Sequence, residues 1–338
     1  MEDGMEDGKA ARAKLVEAYR AMEPVAQLIN YMKEASGPED RWLSLEFQDD
    51  VMETVVGDQV CDRFPPQQQY TYRFLKTYMA AIEAAGVEAS DAIVSGLMEF
   101  MLNSGRTQDA LATDDMHHVS FTVGTDAVIT CRVATVFNDV GLKLWEAGWF
   151  LAEYLVSHAE EFRGKRVLEL GAGVGFSGMA LAAVGAPSHI VLTDYAPNVM
   201  QNLRYNVEIN TDKFVCPVTV QALDWDAWDP ANDPSERPDV LLAGDCVYDV
   251  AAFPSLVRVL NAFLSNKAGD DKLPRTAVFA STIRNRTTFQ AFLDQLHAHG
   301  IVYVDVTDAA LITMGDQRYR YDNRDQIRLC ELTRAGSE

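Results

Sequence analysis

A chain of 338 residues with 48% hydrophobic and 23% charged side chains has the composition of a folded protein with one large domain or two smaller ones. Its 29 basic and 50 acidic residues leave a net charge of −21, which repels phosphate backbones and anionic membrane surfaces, and no apolar run approaches the roughly 20 residues that span a bilayer. Cys61, Cys131, Cys216, Cys246 and Cys330 are too far apart for a C-x-x-C site, and neighbouring His117 and His118 lack any ligand context, so the expectation is no metal and a reducing, cytoplasmic setting.

Met1 to Gly8 is an acidic near-repeat without the basic and apolar regions of a secretory signal, so residues 1–10 are expected to be a disordered start. From Ala11 to about Asn103 the pattern turns helical. Leu15, Ala18, Tyr19, Met22, Ala26 and Ile29 recur at steps of three and four, as do Tyr70, Phe74, Leu75, Tyr78, Met79 and Ile82 after Pro65-Pro66. Asp91 to Leu102 reads as a further short helix. Residues 11–115 are thus expected to form a helical accessory region with Tyr70, Phe74 and Tyr78 in its core. Within 116–140, His118 to Phe137 alternates apolar and polar residues about Gly124-Thr125-Asp126, the pattern of a β-hairpin.

Through 141–335, strand-like and helix-like runs alternate. A helix from Trp145 to Glu160 precedes a strand at Val167 to Leu170, and further strands are expected near Ile190 to Asp194, Val218 to Ala222, Val240 to Ala243 and Ala277 to Ser281. Helices are expected over Met179 to Val184, Pro197 to Asn210, Phe253 to Leu264 and Thr288 to His299. Right-handed crossovers between such strands build a parallel sheet covered by helices on both faces. Ile301 to Val306 and Ile327 to Leu332, with no clear helix between them, are expected to add an antiparallel pair at the sheet edge.

Glu169-Leu170-Gly171-Ala172-Gly173-Val174-Gly175 lies where the first of these strands meets its helix, the place where doubly wound sheets bind nucleotides. Gly173-x-Gly175-x-x-Gly178 also satisfies the dinucleotide fingerprint, so the glycines alone leave the ligand open. Glu169 separates the two classes, because an acid there would repel a pyrophosphate but suit a cationic sulfonium and its amino group. Asp194, ending the second strand, can accept both hydroxyls of a ribose in either class. After the third strand, Asp224 offers a carboxylate to an adenine amine and Trp225 an aromatic wall to its ring. Together these residues describe a pocket for S-adenosylmethionine, which would leave as S-adenosylhomocysteine. The fourth strand exits into Gly244-Asp245-Cys246-Val247-Tyr248, a D-x-x-Y arrangement at the carboxyl edge where a substrate would meet the cofactor.

The D-x-x-Y motif, Trp145-Glu146-Ala147 and the E-L-G-A-G-x-G strand end together resemble the lysine methyltransferase group of the seven-β-strand methyltransferases. Within that group the chain is similar to the eukaryotic elongation factor 2 lysine methyltransferases, the family with sequence similarity 86. The closer likeness is carried by Pro65-Pro66 through Tyr70 to Leu75, Gly141-Leu142 through Trp145 to Tyr154, Leu223-Asp224-Trp225-Asp226, Asp245 to Tyr248, and Arg284-Asn285. Gly244 departs from it, standing where alanine is expected. The resemblance implies a Rossmann-like seven-stranded methyltransferase sheet of the α/β class over 141–335, preceded by the hairpin and by a mainly helical region that recognises substrate. It implies that Trp145 packs on the methionine side of the cofactor, Gly171 and Gly173 line it, Asp194 holds the ribose, Trp225 borders the adenine, and Ala243 supplies strand-end backbone. Asp245 and Tyr248 would face the incoming lysine, with Asp245 attracting and orienting its ammonium and the proton lost to water. The implied protein is a cytoplasmic monomer whose partner is elongation factor 2, with no nucleic acid, membrane or metal involved. Alternative readings are a methyltransferase of another protein or a small amine, an NAD-dependent oxidoreductase, and a catalytically silent interaction module that keeps the fold.

Overall fold

Pro24 has no amide hydrogen to give a helix, and the apolar stripe from Leu15 to Ile29 is accordingly shared between two helices. In the computed structural model, which describes residues 2–37, 40–104, 116–136, 139–228, 238–265 and 275–335, α1 spans Glu2–Arg20 and α2 Val25–Ser36. The stretch expected to be a disordered start is therefore drawn into α1. Acidic sequence suits the positive end of a helix dipole, and a segment with so few apolar residues gives periodicity nothing to detect. Then come α3 at Leu45–Val51, running into a π turn at Met52–Val56, α4 at Gln59–Arg63, α5 at Gln68–Ala84 and α6 at Asp91–Ser104. Residues 105–115 and 137–138 of the expected segments lie outside the described residues.

These helices close over an aromatic core. Tyr19, Tyr70, Phe74 and Tyr78 are each no more than 2% exposed. The tyrosine hydroxyls are satisfied within this unit, as burial demands: Tyr19 Oη pairs with Thr71 Oγ1 at 2.8 Å, Tyr70 donates to the Glu23 carbonyl at 2.7 Å, and Tyr78 donates to the Trp42 carbonyl. The α5 stripe is thus interior, as its spacing predicts.

The hairpin follows, β1 at Met116–Val123 and β2 at Ala127–Ala134, paired as a two-stranded sheet. Beyond it lie α7 (Glu146–Ser157), β3 (Arg166–Leu170), α8 (Phe176–Val184), β4 (His189–Asp194), α9 (Pro197–Asn210) and β5 (Val218–Ala222). The chain continues with β6 (Val240–Gly244), α10 (Phe253–Leu264), β7 (Thr276–Thr282), α11 (Arg286–Ala298), β8 (Ile301–Asp305), α12 (Thr307–Met314) and β9 (Ile327–Arg334). The last strands run in a seven-stranded sheet of order β5-β4-β3-β6-β7-β9-β8, parallel through β7, with β9 antiparallel to both of its neighbours. The antiparallel pair stands at the edge as expected, but α12 separates its strands. Only Thr307 and Ala310 of that helix are buried, too few to leave an apolar stripe in the sequence.

Leu168, Leu170, Leu241, Ala243, Ala277 and Phe279 alternate along their strands onto one face of the sheet, where Leu256, Leu260 and Phe263 of α10 and Phe292 and Leu296 of α11 bury them. Glu169, of opposite parity, reaches Ser177 of α8, so α8 covers the other face.

The described residues fall into two units, residues 1–122 with 132–137, and residues 123–131 with 138–338. The hairpin expected within 116–140 is present as β1 and β2, and it is divided between the two units, its tip belonging to the sheet-bearing one. Asn210, buried at the end of α9, accounts for this by accepting from the Thr130 amide at 2.9 Å and donating to the Thr130 carbonyl at 2.7 Å. Among the described residues no helix is long and apolar enough to cross a membrane.

Candidate active site

The carboxyl ends of β3, β4, β5 and β6 open into a cavity of about 390 Å³, within the size range of small-molecule sites. Trp145, Glu169, Gly171, Gly173, Asp194, Asp224, Trp225, Asp245 and Tyr248 all line it. Ala243 does not. It is fully buried in β6, in register with Leu170 and Phe279, and the strand runs one residue further, so that Gly244 reaches the cavity instead.

The wall formed by the β3 exit is mostly backbone. Gly171 and Gly173 both have φ of +57°, a conformation that a side chain disfavours. A Cβ on Gly171 would stand 2.8 Å from Cys246 Sγ, and one on Gly173 3.1 Å from the Gly141 carbonyl oxygen. Gly178 serves packing: a Cβ there would meet Glu169 Oε2 at 2.5 Å and Leu192 at 2.4 Å. That explains the dinucleotide-like glycine spacing without a pyrophosphate.

Glu169 is 2% exposed. Its Oε1 accepts from the Ser177 hydroxyl, while Oε2 has no hydrogen-bond partner among the described residues. Burial pushes its carboxyl up to about 7, against the opposing Ser177 bond. Asp194 is held differently. Its Oδ2 accepts from the Gly173 amide at 3.1 Å and its Oδ1 from the Tyr195 amide at 2.8 Å. Burial raises its pKa and these amides pull it back. It does not cap α9, whose first turn lacks any side-chain cap. Trp225 stands beside Gly171, 3.6 Å from the place a Cβ would take, and Asp224 accepts from the Asp226 amide at 2.9 Å.

The wall formed by the β6 exit is built from charge. Asp245 has φ of +56°, and its amide donates to the Ala280 carbonyl at 2.8 Å. Its Oδ1 accepts from the Thr282 amide at 3.1 Å and Arg284 Nη1 at 3.2 Å; its Oδ2 accepts from Thr282 Oγ1 at 3.2 Å and Arg284 Nη2 at 2.9 Å. The sequence suggests a carboxylate free to attract a substrate ammonium, whereas here every strong acceptor position is already filled by β7 and the residues after it. Arg284 Nη2 also donates to Glu146 Oε2 at 2.7 Å, and the guanidinium lies 5.0 Å from the centroid of the Trp145 ring. Trp145 Nε1 donates to the Val140 carbonyl at 2.9 Å. Tyr248 is 60% exposed, and its hydroxyl makes no hydrogen bond among the described residues.

Sequence reasoning gave the strand-end residues and missed their partners. Ser177 and Thr282 carry no motif, and the Arg284 contacts join residues 39 and 138 positions apart. Asn285, by contrast, is a helix cap, its Oδ1 accepting from the amides of Thr287 and Thr288. Cys246 lines the cavity as a buried thiol whose pKa is raised well above normal by burial and by neighbouring acids. Among the described residues no group of three or more His, Cys, Asp or Glu side chains is placed to hold a metal.

Residues 129–299 match the family described as Lysine methyltransferase. The chain is similar to Protein-lysine N-methyltransferase EEF2KMT of Homo sapiens, with 30% identity over 264 residues covering 75% of this chain and 77% of that protein. It is also similar to the Bos taurus protein of the same name, at 29% identity over 84% of this chain and 86% of that one. Among solved structures it is similar to P. horikoshii TYW2 in complex with MeSAdo, at 15% identity and TM-score 0.37 over 65% of this chain and 71% of that one.

Proposed function

The chain belongs to the lysine methyltransferase family as an S-adenosylmethionine-dependent protein-lysine N-methyltransferase, and from that premise we propose that its substrate is a lysine of elongation factor 2, modified in the cytoplasm by a monomeric enzyme. The observation that carries this reading is the convergence of the glycine loop, Asp194 and the D-x-x-Y pair on one cavity, in a chain whose relatives bear the name EEF2KMT. Five free thiols suit a reducing compartment. The helical unit, which the cavity does not use, is assigned to recognition of the protein substrate.

The cavity fits the cofactor by its donor set. Glu169 presents a buried carboxyl, one oxygen of which has no hydrogen-bond partner among the described residues, suited to an ammonium, and at Gly171 the backbone lines the cavity where a Cβ would crowd Cys246. When bound, S-adenosylmethionine supplies a methyl group on a positively charged sulfur. Asp194 would accept from the ribose hydroxyls with a carboxylate already fixed by the backbone amides of Gly173, Tyr195 and Ala196, so little reorganisation is needed. Trp225 would border the adenine, Asp224 its amine, and Trp145 the methionine end.

Tyr248 faces the entering lysine. A phenol is neutral near pH 7, and partial desolvation with the nearby Cys246 and acids raises the pKa of Tyr248 further, so it acts as a neutral hydroxyl that orients the amine and not as a base. A lysine amine is only about one part in a thousand free base near neutrality, a cost of about 4 kcal/mol, and its proton goes to water.

The test is incubation of the protein and labelled S-adenosylmethionine with a lysate lacking this activity, followed by mass spectrometry of the labelled proteins. Label on a lysine of elongation factor 2 is expected. Label on another protein, with none on elongation factor 2, would overturn the substrate assignment.

A further inference from the structure

A carboxylate beside the acceptor amine poses a chemical problem. An ionised acid within about 4–6 Å favours the ammonium, which cannot attack, and typically raises the pKa of its partner by one unit or more. Asp245 lines the cavity, and on the reading proposed above it borders the acceptor amine, yet its charge is not free. Arg284 engages both of its oxygens in a bidentate pair, the geometry in which a guanidinium neutralises a carboxylate most completely. Arg284 is itself held in place by Glu146 at the start of α7 and by the Trp145 ring, on whose surroundings Lys143 also bears, 4.8 Å from the ring centroid. Arg284 itself does not line the cavity, and it touches the cofactor wall only through the Trp145 ring.

We propose that Arg284 is a positioning residue for the acceptor amine: by neutralising Asp245 it prevents that carboxylate from trapping the lysine as an ammonium, while holding it as a rigid wall of the lysine channel. The proposal rests on lysine methylation and not on which protein carries the lysine. Asp245 then contributes shape, anchoring the β6 exit to Thr282, and Tyr248 supplies the hydrogen bond that orients the nitrogen. The covalent step keeps its balance: the ammonium gives a proton to water, the nitrogen lone pair forms the bond to the methyl carbon, and the carbon–sulfur bonding pair stays on sulfur.

Several other ionisable groups stand near this pair: Lys143 and Asp139 ahead of α7, Asp249 after Tyr248, and Tyr195, Asp224 and Asp226 beyond β4 and β5 all line the cavity, and each is unchanged across the variants compared below. Glu146 meets Arg284 from α7; Tyr248 and Cys246 face the amine from the β6 exit, both with raised pKa values; and Asp194 and Glu169 stand on the cofactor wall. Glu169, pushed up to about 7, would enter through cofactor affinity alone, so the measurement is made with S-adenosylmethionine saturating at every pH.

The experiment reads kcat and kcat/KM for the protein substrate from pH 6 to about 10, in wild type, Arg284→Gln, Arg284→Lys, Asp245→Asn and the Arg284→Gln/Asp245→Asn double variant, with calorimetric cofactor affinity on each preparation. The kcat profile reports groups in the complex and kcat/KM those of the free partners. In Arg284→Gln the acid limb of kcat should move up by about one pH unit. Its kcat at pH 7.5 should fall about tenfold and rejoin wild type at high pH, with the kcat/KM limb unmoved and cofactor affinity within about threefold. Arg284→Lys should keep the wild-type limb, and adding Asp245→Asn to Arg284→Gln should bring the limb back. A uniform loss in Arg284→Gln at all pH values would overturn the proposal. If Arg284→Gln does not bind cofactor, the other variants decide: a kcat limb displaced upward in Asp245→Asn or in the double variant would overturn it, and limbs at or below the wild-type position support it. Should wild type label a lysine on a protein other than elongation factor 2, the same profiles are read on that lysine, so the substrate assignment and this proposal fail separately.

Discussion

The two walls of the cavity are built by different means. Around Glu169, Gly171, Gly173 and Asp194 the work is done by backbone: left-handed glycines, main-chain amides on a carboxylate, and a strand end with no room for side chains. Around Asp245 it is done by side chains from the start of α7 and from the segments that follow β6 and β7, meeting in an ion cluster of Glu146, Arg284 and Asp245. A backbone cradle can be read from a contiguous motif, whereas a side-chain cluster exists only after folding. The difference also teaches what each wall tolerates. Substitutions on the first should act on cofactor affinity, and those on the second on turnover and its pH dependence.

The largest effect is expected at Gly171. Gly171→Ala places a methyl 2.8 Å from Cys246 Sγ in a conformation that costs an L-residue about 1–2 kcal/mol, and the loop must shift to relieve the contact. Cofactor affinity should fall by about a hundredfold, roughly 3 kcal/mol, in calorimetry. A folded variant that binds as wild type would mean that the cradle is not where the cofactor lies. Asp194→Ala comes next, with a loss of at least about tenfold, because charge-assisted bonds to two ribose hydroxyls are worth about 1.5–3 kcal/mol each. Unchanged affinity there would leave Asp194 as no more than a tie between the Gly173 loop and the β4 exit.

On the other wall, Tyr248→Phe removes an exposed hydroxyl that has no hydrogen-bond partner among the described residues, so stability should stay within about 0.5 kcal/mol of wild type. Turnover should fall several-fold with cofactor affinity unaltered. If affinity for S-adenosylmethionine dropped instead, the division of labour between the walls would be wrong.

Legibility followed the same division. The β3 strand end, Asp194 and the D-x-x-Y pair could be named from sequence because each is local and sits where a strand meets a loop. Arg284 had no recognisable task until Asp245 and Glu146, far away in the chain, were brought to it. In the fold, α9, α10 and β5 coincide with their apolar patterns, while α12 escaped notice because it buries two residues and α1 began early because acids carry no periodicity. Ala243 was displaced from the site by one residue of extra strand, a difference below what an apolar run can resolve.

Glu169 joins the walls' comparison through pH. Its carboxyl is raised from an ordinary 4.5 to about 7, so between those values the folded chain binds a proton that the unfolded chain releases. The stability tied to this group is full below pH 4.5 and is lost as pH rises through about 7, by on the order of 3 kcal/mol in all. Glu169→Gln should therefore gain on wild type in thermal unfolding as pH rises from 5 to 8. Cofactor affinity should move oppositely in wild type, increasing a few-fold from pH 6 to 8 as the carboxylate forms to meet an ammonium, and that slope should vanish in the variant. Parallel profiles in the two proteins would place Glu169's proton outside this range and its carboxyl outside the cofactor's reach.

The smallest effect on binding belongs to Ala243. It lies in β6 beside Leu170 and Phe279, with its side chain in the core over α10 and α11, one residue behind the cavity. Ala243→Gly removes a buried methyl and loosens the strand, which should cost roughly 1 kcal/mol of stability. No atom facing the cofactor changes, so affinity should stay within about twofold of wild type, under 0.5 kcal/mol. The paired measurement is thermal unfolding and cofactor titration on one preparation. A variant that keeps its stability and loses affinity would return the strand-end role to Ala243, and Gly244 would then be a spacer, not the residue that carries β6 to the cavity.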